Sequence, residues 1–237
     1  ITGGVFRMLR ERDMQHRRPD KRWSTCAVVG NSGVLLAHEK GQEIDQHDMV
    51  LRMNNAPLSR QWQPFVGSKT TISLMNQHHG KLMAGRMPLH HKHATILLYE
   101  SAHQNVRNGV LPNTKRRFRE TELLSPAFLV RAYSTWFKLK AVVEEQRMMQ
   151  SSSRNSTYRE MKRKPMSGFF AALFALQVCR QVDLYGFAAW TKGTWQKDHA
   201  PYHYFDSVSG VTEVHSFPLA FHIFQLMGNH ANLTIAS

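Results

Sequence analysis

Cysteine is scarce in this sequence of 237 residues, which contains only Cys26 and Cys179. So low a content excludes zinc fingers built on cysteine clusters. Two thiols in apolar segments are either inert core residues or the two halves of one long-range disulfide. Two glycosylation sequons in the same chain favour the disulfide, because both features belong to an oxidising compartment rather than to the reducing cytosol.

The two sequons are Asn155-Ser156-Thr157 and Asn232-Leu233-Thr234. Each has the Asn-x-Ser/Thr pattern that the secretory pathway modifies, so we predict N-glycosylation at Asn155 and Asn232. Together with the cysteine pair, they predict that this chain faces a lumen.

Long apolar runs are also missing. The longest uninterrupted one, Phe169–Leu176, is too short to cross a bilayer, and the first residues lack the apolar core of a signal peptide. The chain begins at Ile1 rather than at methionine, so we expect a piece of a longer protein whose membrane anchor lies outside this sequence. We predict a basic stem remnant or linker at residues 1–22 and one catalytic domain at residues 23–237.

Acidic residues are few, 17 against 31 lysines and arginines, which gives a formal net charge of +14. Such a charge is typical of proteins that bind nucleic acid or other polyanions. Much of the excess, however, lies in polar segments that we predict to be a linker and two solvated loops, without interleaved aromatic residues. Polyanion binding therefore stays a third hypothesis. The segments are Arg7–Arg22, Lys115–Arg119 and Arg159–Lys164.

Several chemical motifs are absent. The sequence has no Gly-x-Ser-x-Gly elbow, which argues against a serine hydrolase, and no Asp-x-Asp triplet that would hold a divalent ion between phosphates. Histidines cluster at His78–His79 and His90–His93, but adjacent histidines do not match the usual spacing of zinc ligands. We predict that both clusters lie in surface loops.

Short apolar runs rich in β-branched residues alternate with segments of helical composition along the chain. This alternation predicts an α/β fold in one domain, with a sheet covered by helices. Ser167 is a suitable N-cap for the last long helix. The predicted strands are Thr25–Val29, Met49–Met53, Thr70–Met75, Thr95–Tyr99 and Val182–Tyr185, and the predicted helical segments are Val34–His47, Phe128–Met149 and Phe169–Cys179.

Polar residues follow the first strand and precede the last long helix. Asn31 and Ser32 stand between two glycines, where a ligand or merely a tight turn would use them. Ser167 and Gly168 offer the free amides of a helix start, which can bind a phosphate or a sugar hydroxyl. Two more candidates are His203 and His215. Such a pair could supply a general base and a donor to a leaving phosphate. The alternative is that two of the 14 histidines lie in this region by chance.

Four segments, in order, resemble the motifs of the eukaryotic sialyltransferases, glycosyltransferase family 29. The region Cys26–Asn76, with GNSG, VLRMNNAP and VGSKTT, resembles the large sialylmotif, and Pro165–Phe187, which closes with VDLYGF, resembles the small one. PYHYFD at Pro201–Asp206 is similar to the third motif, and His215 begins a segment similar to the very small motif. These segments cover roughly half the chain, and the middle, residues 77–164, carries no motif of the family.

The resemblance implies a GT-A-like, Rossmann-type sheet in a single α/β domain, covered by helices on both faces. It also implies an inverting transfer of sialic acid from CMP-sialic acid to a glycan hydroxyl, without a metal or another cofactor. It implies a lumenal domain of a single-pass type II membrane protein of the Golgi, with glycoproteins or glycolipids as acceptors and no nucleic acid as partner. His215 would be the base, His203 would steady the leaving phosphate, and Cys26 would pair with Cys179. The implied donor site comprises Asn31, Ser32, Asn54, Ser167, Gly168 and Gly186.

Two positions depart from the family pattern. Met166 replaces a small hydroxyl residue of the small motif, and Ala220 replaces the glutamate that follows the histidine of the very small motif by five residues. The sequence therefore leaves two alternatives open. One is a transferase that uses another CMP-ulosonic acid such as CMP-Kdo, and the other is a non-catalytic relative that binds nucleotide or glycan.

Overall fold

The computed structural model describes residues 23–91, 93–150, 164–188, 200–208, 210 and 214–236. In this part of the chain, seven parallel strands form one sheet in the order β5-β4-β3-β2-β1-β6-β7. The strands are β1 (Trp23–Val29), β2 (Met49–Met53), β3 (Ile72–Met75), β4 (Thr95–Leu98), β5 (Thr121–Leu123), β6 (Cys179–Tyr185) and β7 (Leu233–Ala236). The helices are α1 (Gly41–Asp45), α2 (Gln63–Val66), α3 (Gln77–Ala84), α4 (Leu111–Arg117), α5 (Pro126–Gln150), α6 (Ser167–Val178) and α7 (Phe217–Gly228).

Both faces of the sheet are buried, which is why its central strands are largely apolar. Successive strand residues point to opposite faces, so Cys26 and Val28 of β1 pack in a cluster with α5, α6 and α7. Ala27 and Val29 pack on the other face, in a cluster with a 3₁₀ turn at Gly33–Ala37, α1 and α2. The helices thus cover both faces, as the sequence predicts.

The order of the strands places a reversal at the centre of the sheet. From β1 the chain runs outward through β2 to β5, and it then crosses back so that β6 and β7 extend the sheet on the other side of β1. In open parallel sheets, ligands bind at the carboxyl ends of the strands where the order reverses. The fold therefore points to the carboxyl end of β1 and β6.

A disulfide joins Cys26 and Cys179, with 6.1 Å between their Cα atoms, as predicted. Cys26 lies in β1, and Cys179 is the first residue of the adjacent strand β6, directly after α6. The bond therefore links the two strands on either side of the reversal.

Several elements differ from the sequence prediction. Lys115–Arg117 form the last turn of α4 rather than a solvated loop, and the Arg117 guanidinium donates to the Met83 carbonyl oxygen at 2.6 Å. The other basic segments, apart from Lys164, lie outside the described residues. The sequence patterns also did not indicate α3, α4, α7, β5 or β7. Among the described helices, none combines the length and the apolarity needed to span a bilayer.

Candidate active site

A cavity of about 400 Å³ opens at the carboxyl edge of the sheet, beside the reversal between β1 and β6. Its size is within the range of small-ligand sites. Its walls come from the turns after β1, β2, β3 and β6, from the start of α6, and from the segments around residues 202 and 215. The eight donor-site and catalytic candidates all line it, although they are distant in sequence: Asn31, Ser32, Asn54, Ser167, Gly168, Gly186, His203 and His215.

Two glycines let β1 and β6 end close together at the floor of this cavity. A Cβ atom on Gly30 would lie 2.8 Å from the carbonyl oxygen of Gly186. Gly186 itself has φ of 76°, in the left-handed region that favours glycine. The Gly30 N–H donates to the Tyr185 carbonyl oxygen at 2.7 Å and joins the ends of the two strands.

Asn31 carries an unsatisfied acceptor. Within the described part of the chain its Oδ1 atom is buried and has no hydrogen-bond partner, while its backbone carbonyl accepts from Tyr204 N at 2.9 Å. A buried amide oxygen without a donor costs free energy, and a bound hydroxyl or amino group would remove that cost. Asn31 is thus oriented to accept a hydrogen bond from a ligand.

Asn54 is held in a left-handed conformation, with φ of 57°, directly after β2. Its side-chain Oδ1 accepts from the backbone N–H of Asn76 at 3.2 Å, and its own N–H donates to the Leu74 carbonyl oxygen at 2.9 Å. Because Oδ1 faces a donor inside the protein, the Nδ2 amide remains as the donor toward the cavity.

Ser167 begins α6, and the N-cap position is occupied by Met166, whose side chain makes no capping hydrogen bond. The prediction that Ser167 is the N-cap is therefore wrong by one residue. The Ser167 hydroxyl lies 3.0 Å from the Tyr99 phenolic oxygen instead. Tyr99 comes directly after β4 and stacks on Phe170, with 4.7 Å between ring centroids, and burial raises the pKa of its phenol.

His203 is fixed from three sides. Its Nδ1 lies 3.1 and 3.0 Å from the two carboxylate oxygens of Asp206. Its ring stacks on Phe205 at 4.9 Å and packs beside Tyr202 at 4.3 Å between centroids. A carboxylate can only accept from Nδ1–H, so Asp206 orients the ring and stabilises positive charge on it.

His215 is held by a backbone carbonyl rather than by a carboxylate. Its Nδ1 lies 2.9 Å from the Lys164 carbonyl oxygen, and Lys164 N donates to the Val214 carbonyl oxygen at 3.1 Å. Because a carbonyl oxygen accepts only, Nδ1 must carry the proton, and Nε2 of the neutral ring is the free base.

His79 and Asn76 also line the cavity, and the sequence interpretation missed both as site residues. Asn76 caps α3, since its Oδ1 accepts from His79 N at 2.9 Å. Burial and the neighbouring charges of His78 and His203 lower the pKa of His79 to about 4. The only signal in the sequence is the Asn76 cap position, directly after a strand that ends at the cavity edge.

The prediction of surface loops is wrong for His78, His79 and His91, whereas His90 and His93 are exposed in a loop as predicted. His78 and His79 begin helix α3, and His91 is 3% exposed. His91 donates from Nε2 to the Ala56 carbonyl oxygen at 2.8 Å and accepts at Nδ1 from the Ser73 hydroxyl at 2.9 Å. Within the described residues, no group of three or more His, Cys, Asp or Glu side chains could hold a metal ion.

Ala220 lies on α7, is 1% exposed and lines the cavity. Its neighbours in that wall are Phe217, Phe221 and Phe224, so the position is part of an apolar surface. Of the two sequons, Asn155 lies outside the described residues. Asn232 is exposed in the turn before β7, and its Nδ2 donates to the Arg180 carbonyl oxygen at 3.1 Å.

The chain resembles known proteins over most of its length. The family model described as glycosyltransferase family 29 (sialyltransferase) matches residues 3–231. The human protein named CMP-N-acetylneuraminate-beta-galactosamide-alpha-2,3-sialyltransferase 1 is 30% identical over 203 residues, which are 82% of this chain and 51% of that protein. The chain thus spans about half the length of the curated relatives it matches.

Two solved structures share the fold. The crystal structure of a mammalian sialyltransferase has a TM-score of 0.61 and 24% identity, with 100% of this chain and 79% of that chain covered. Its complex with Gal-beta-1-3GalNAc-ortho-nitrophenol has a TM-score of 0.60 and the same identity of 24%, over 90% of this chain and 69% of that one.

Proposed function

Because this chain belongs to glycosyltransferase family 29, the sialyltransferases, we propose that it transfers sialic acid from CMP-sialic acid to a hydroxyl group of a glycan, with inversion at the anomeric carbon. The cavity at the sheet reversal is the proposed site. The observation that carries the proposal is the tautomer of His215, which has Nδ1 bonded to Lys164 O at 2.9 Å and so offers Nε2 as a base.

His215 has the role of general base. Nε2 removes the proton from the acceptor hydroxyl while that oxygen attacks the anomeric carbon, and the bond from that carbon to the CMP phosphate breaks. The Lys164 carbonyl oxygen stabilises the imidazolium that forms, because it accepts from Nδ1–H throughout. No covalent intermediate is needed in such a single displacement, so no carboxylate nucleophile is required.

His203 stabilises the leaving phosphate. Negative charge develops on the phosphate as the sugar departs, and a hydrogen-bond donor already in place lowers the energy of that state. The carboxylate of Asp206 accepts from Nδ1–H and orients the ring, and Nε2–H is the proposed donor to the phosphate. The two histidines therefore have opposite proposed roles, since His215 accepts a proton and His203 stabilises negative charge on the leaving phosphate.

The donor-binding residues surround these histidines. The unsatisfied Oδ1 of Asn31 and the Nδ2 of Asn54 supply an acceptor and a donor for the nucleotide. The first residues of α6, Ser167 and Gly168, supply free helix amides for its phosphate. Ser32 and Gly186 complete the nucleotide side of the cavity.

The test compares His215→Ala with His222→Ala, a histidine of α7 that does not line the cavity. Two quantities are measured for each variant. The first is the rate of transfer from CMP-sialic acid to Gal-β1,3-GalNAc, the disaccharide in the structural relative, and the second is the affinity for CMP. We expect kcat to fall about 10²- to 10⁴-fold in His215→Ala with CMP affinity nearly unchanged. Transfer at the wild-type rate by His215→Ala would refute the assignment of the base.

A second candidate function is binding of nucleotide or glycan without catalysis. The apolar wall around Ala220 favours it, because the family has a glutamate at this position. A thermal-shift titration with CMP, and with UMP as control, tests nucleotide binding apart from turnover. If CMP binds and no transfer is detected, the variant Ala220→Glu tests whether the missing glutamate is the reason. A gain in turnover would show that the rest of the site is competent.

The donor is a further part of the proposal. The same nucleotide pocket could serve CMP-sialic acid or CMP-Kdo, and competition between the two donors at equal concentration separates these alternatives. We also propose that the reaction needs no divalent ion, so activity should survive treatment with EDTA.

The proposed location is the Golgi lumen, with residues 1–22 as part of a stem and a membrane anchor outside this sequence. The Cys26–Cys179 disulfide supports an oxidising compartment. Glycosylation at Asn155 and Asn232 is part of the same proposal. Digestion of the secreted protein with an N-glycosidase, followed by mass spectrometry, tests both sites.

A further inference from the structure

His79 presents one ring nitrogen to the cavity. It lies in the first turn of α3, at the carboxyl end of β3, and its side chain lines the cavity. Within the described part of the chain, its side-chain hydrogen bond goes from Nδ1 to Asn76 Oδ1 at 3.0 Å, and Nε2 has no partner.

The proton on this ring is fixed by the helix cap. The Asn76 side-chain atom that faces His79 accepts from the His79 backbone N–H at 2.9 Å, so it must be the amide oxygen. Because this oxygen also accepts a hydrogen bond from the His79 ring, the ring proton lies on Nδ1. Nε2 therefore carries a lone pair and acts only as an acceptor.

The ring is neutral at the pH of any secretory compartment, because burial and the nearby His78 and His203 lower the pKa of His79 to about 4. A neutral acceptor can bind a hydroxyl or an amide N–H. It cannot bind a phosphate or a carboxylate oxygen, whose lone pairs face its own.

We propose that His79 is a specificity-determining residue, whose Nε2 accepts a hydrogen bond from a sugar hydroxyl and keeps anionic groups away from the β3 side of the cavity. This inference rests on the proposed function, because the proposed donor and acceptor substrates supply the sugar hydroxyl. The strand β3 is two positions from β1, or about 10 Å at the usual strand spacing. His79 therefore lies on the β3 side of the cavity, two strands from the sheet reversal.

The hydroxyl belongs either to the donor sugar or to the acceptor sugar, and steady-state kinetics distinguish these sources. His79→Leu removes the acceptor atom, whereas His79→Gln restores one on a flexible side chain. His93→Leu is the matched control, since His93 is exposed in the loop before β4, at the opposite edge of the sheet.

In His79→Leu we expect KM to rise about 3- to 10-fold for one substrate, CMP-N-acetylneuraminic acid or Gal-β1,3-GalNAc, as for one lost hydrogen bond. The substrate whose KM rises identifies the source. CMP affinity should change less than 2-fold, His79→Gln should recover most of the loss, and His93→Leu should match the wild type.

Asn76→Asp supplies a readout that a purely structural role would not change. Aspartate also caps helices well, but its carboxylate favours the protonated imidazolium, whose Nε2 donates instead of accepting. We expect the KM defect of this variant, relative to the wild type, to be largest near pH 6 and to shrink toward pH 8.

The inference would be overturned if KM for both substrates were unchanged in His79→Leu, or if His79→Gln showed no recovery. Transfer by the wild type would leave the proposed function intact in either case. If the wild type itself transfers nothing, the proposed function fails by that result alone. The inference is then decided by ¹⁵N NMR of labelled histidine with each substrate added. A shift of the unprotonated Nε2 resonance supports the inference, and no shift with either substrate refutes it.

Discussion

His47 Nε2 lies 3.0 Å from the carboxylate of Asp183, so a histidine just beyond α1 is bonded to the middle of β6. The other ring nitrogen, Nδ1, lies 3.0 Å from the Glu43 carbonyl oxygen. Both partners only accept hydrogen bonds, so each contact needs a proton on the ring nitrogen that makes it. The side chain is 9% exposed, and Tyr185 packs edge-on against its ring.

We predict that Asp183→Asn lowers the free energy of unfolding by roughly 1–3 kcal/mol, because it removes a charge-assisted hydrogen bond from a nearly buried ring. Urea denaturation at pH 6.5 measures the change. Glu39→Gln, a neutralised carboxylate at an exposed position in the same region, should be within 0.5 kcal/mol of the wild type on the scale typical of surface substitutions. Equal stability of the two variants would mean that the His47 contact contributes nothing.

The disulfide should stabilise the fold strongly. It closes a loop with a sequence separation of 153 residues, for which the chain-entropy model gives about 5 kcal/mol. We expect the double variant Cys26→Ala, Cys179→Ala to lose roughly 3–5 kcal/mol, measured by urea denaturation against the oxidised protein. Addition of a reductant should destabilise the wild type and leave the double variant unaffected. Two free thiols in the secreted wild type would contradict the bond.

His91 should make the stability depend on pH. Burial and the charge of Arg52 lower the pKa of His91 from 6.5 to about 4. Between these two pH values His91 is protonated in the unfolded chain and neutral in the folded protein. The contribution of His91 is complete above pH 6.5 and is lost as the pH falls toward 4, by about 3 kcal/mol in all. Urea denaturation from pH 7.5 to 4.5 measures it.

The matched pair for this test is His91→Gln and His93→Gln. His91→Gln is less stable at pH 7.5, since it disturbs the bonds to Ser73 and Ala56, but its stability should fall less steeply on acidification. His93 is exposed, and its replacement should leave the slope unchanged. Parallel pH curves for the wild type and His91→Gln would rule out the predicted linkage.

Tyr99→Phe tests how the start of α6 is positioned. The variant keeps the stacking on Phe170 and loses only the hydroxyl that lies 3.0 Å from Ser167 Oγ. We expect CMP affinity or kcat to fall about 3- to 10-fold, as for one hydrogen bond, with little change in melting temperature. Tyr133→Phe is the control, because Tyr133 also packs on Phe170 but is 37% exposed. Identical kinetics of both variants would assign Tyr99 to packing alone.

Much of the fold could be predicted because the central strands are buried on both faces. Met49–Met53 is apolar except for Arg52, and such a run has no other stable place than the middle of a parallel sheet. The missed elements have weak patterns. Strand β5 has only three residues, and β7 is an edge strand with exposed Thr234. In α3, Gln77 is followed by His78, His79 and Gly80, which are poor helix formers.

The site could be predicted where local chemistry decides it and not where tertiary contacts do. The turn after β1 and the start of α6 are visible from glycine and serine positions alone. The neutral state of His79 depends on burial beside His203, and the buried state of His91 depends on Ser73 and Ala56, so no local pattern could indicate them. The offset at Ser167 arose because Met166 adopts the extended cap conformation, and serine follows it inside the helix.

The pairing of β1 with β6 sets the order of events during synthesis. Strand β1 leaves the ribosome early, yet the partner of Cys26 is made 153 residues later, after roughly 10–30 seconds at ordinary translation rates. Throughout that interval Cys26 lacks its partner Cys179, and β1 has an open strand edge at the place where β6 will dock. The turn after β6 forms part of the cavity wall, so a chain that stops short of β6 lacks the complete cavity and leaves Cys26 exposed to mispairing with other thiols.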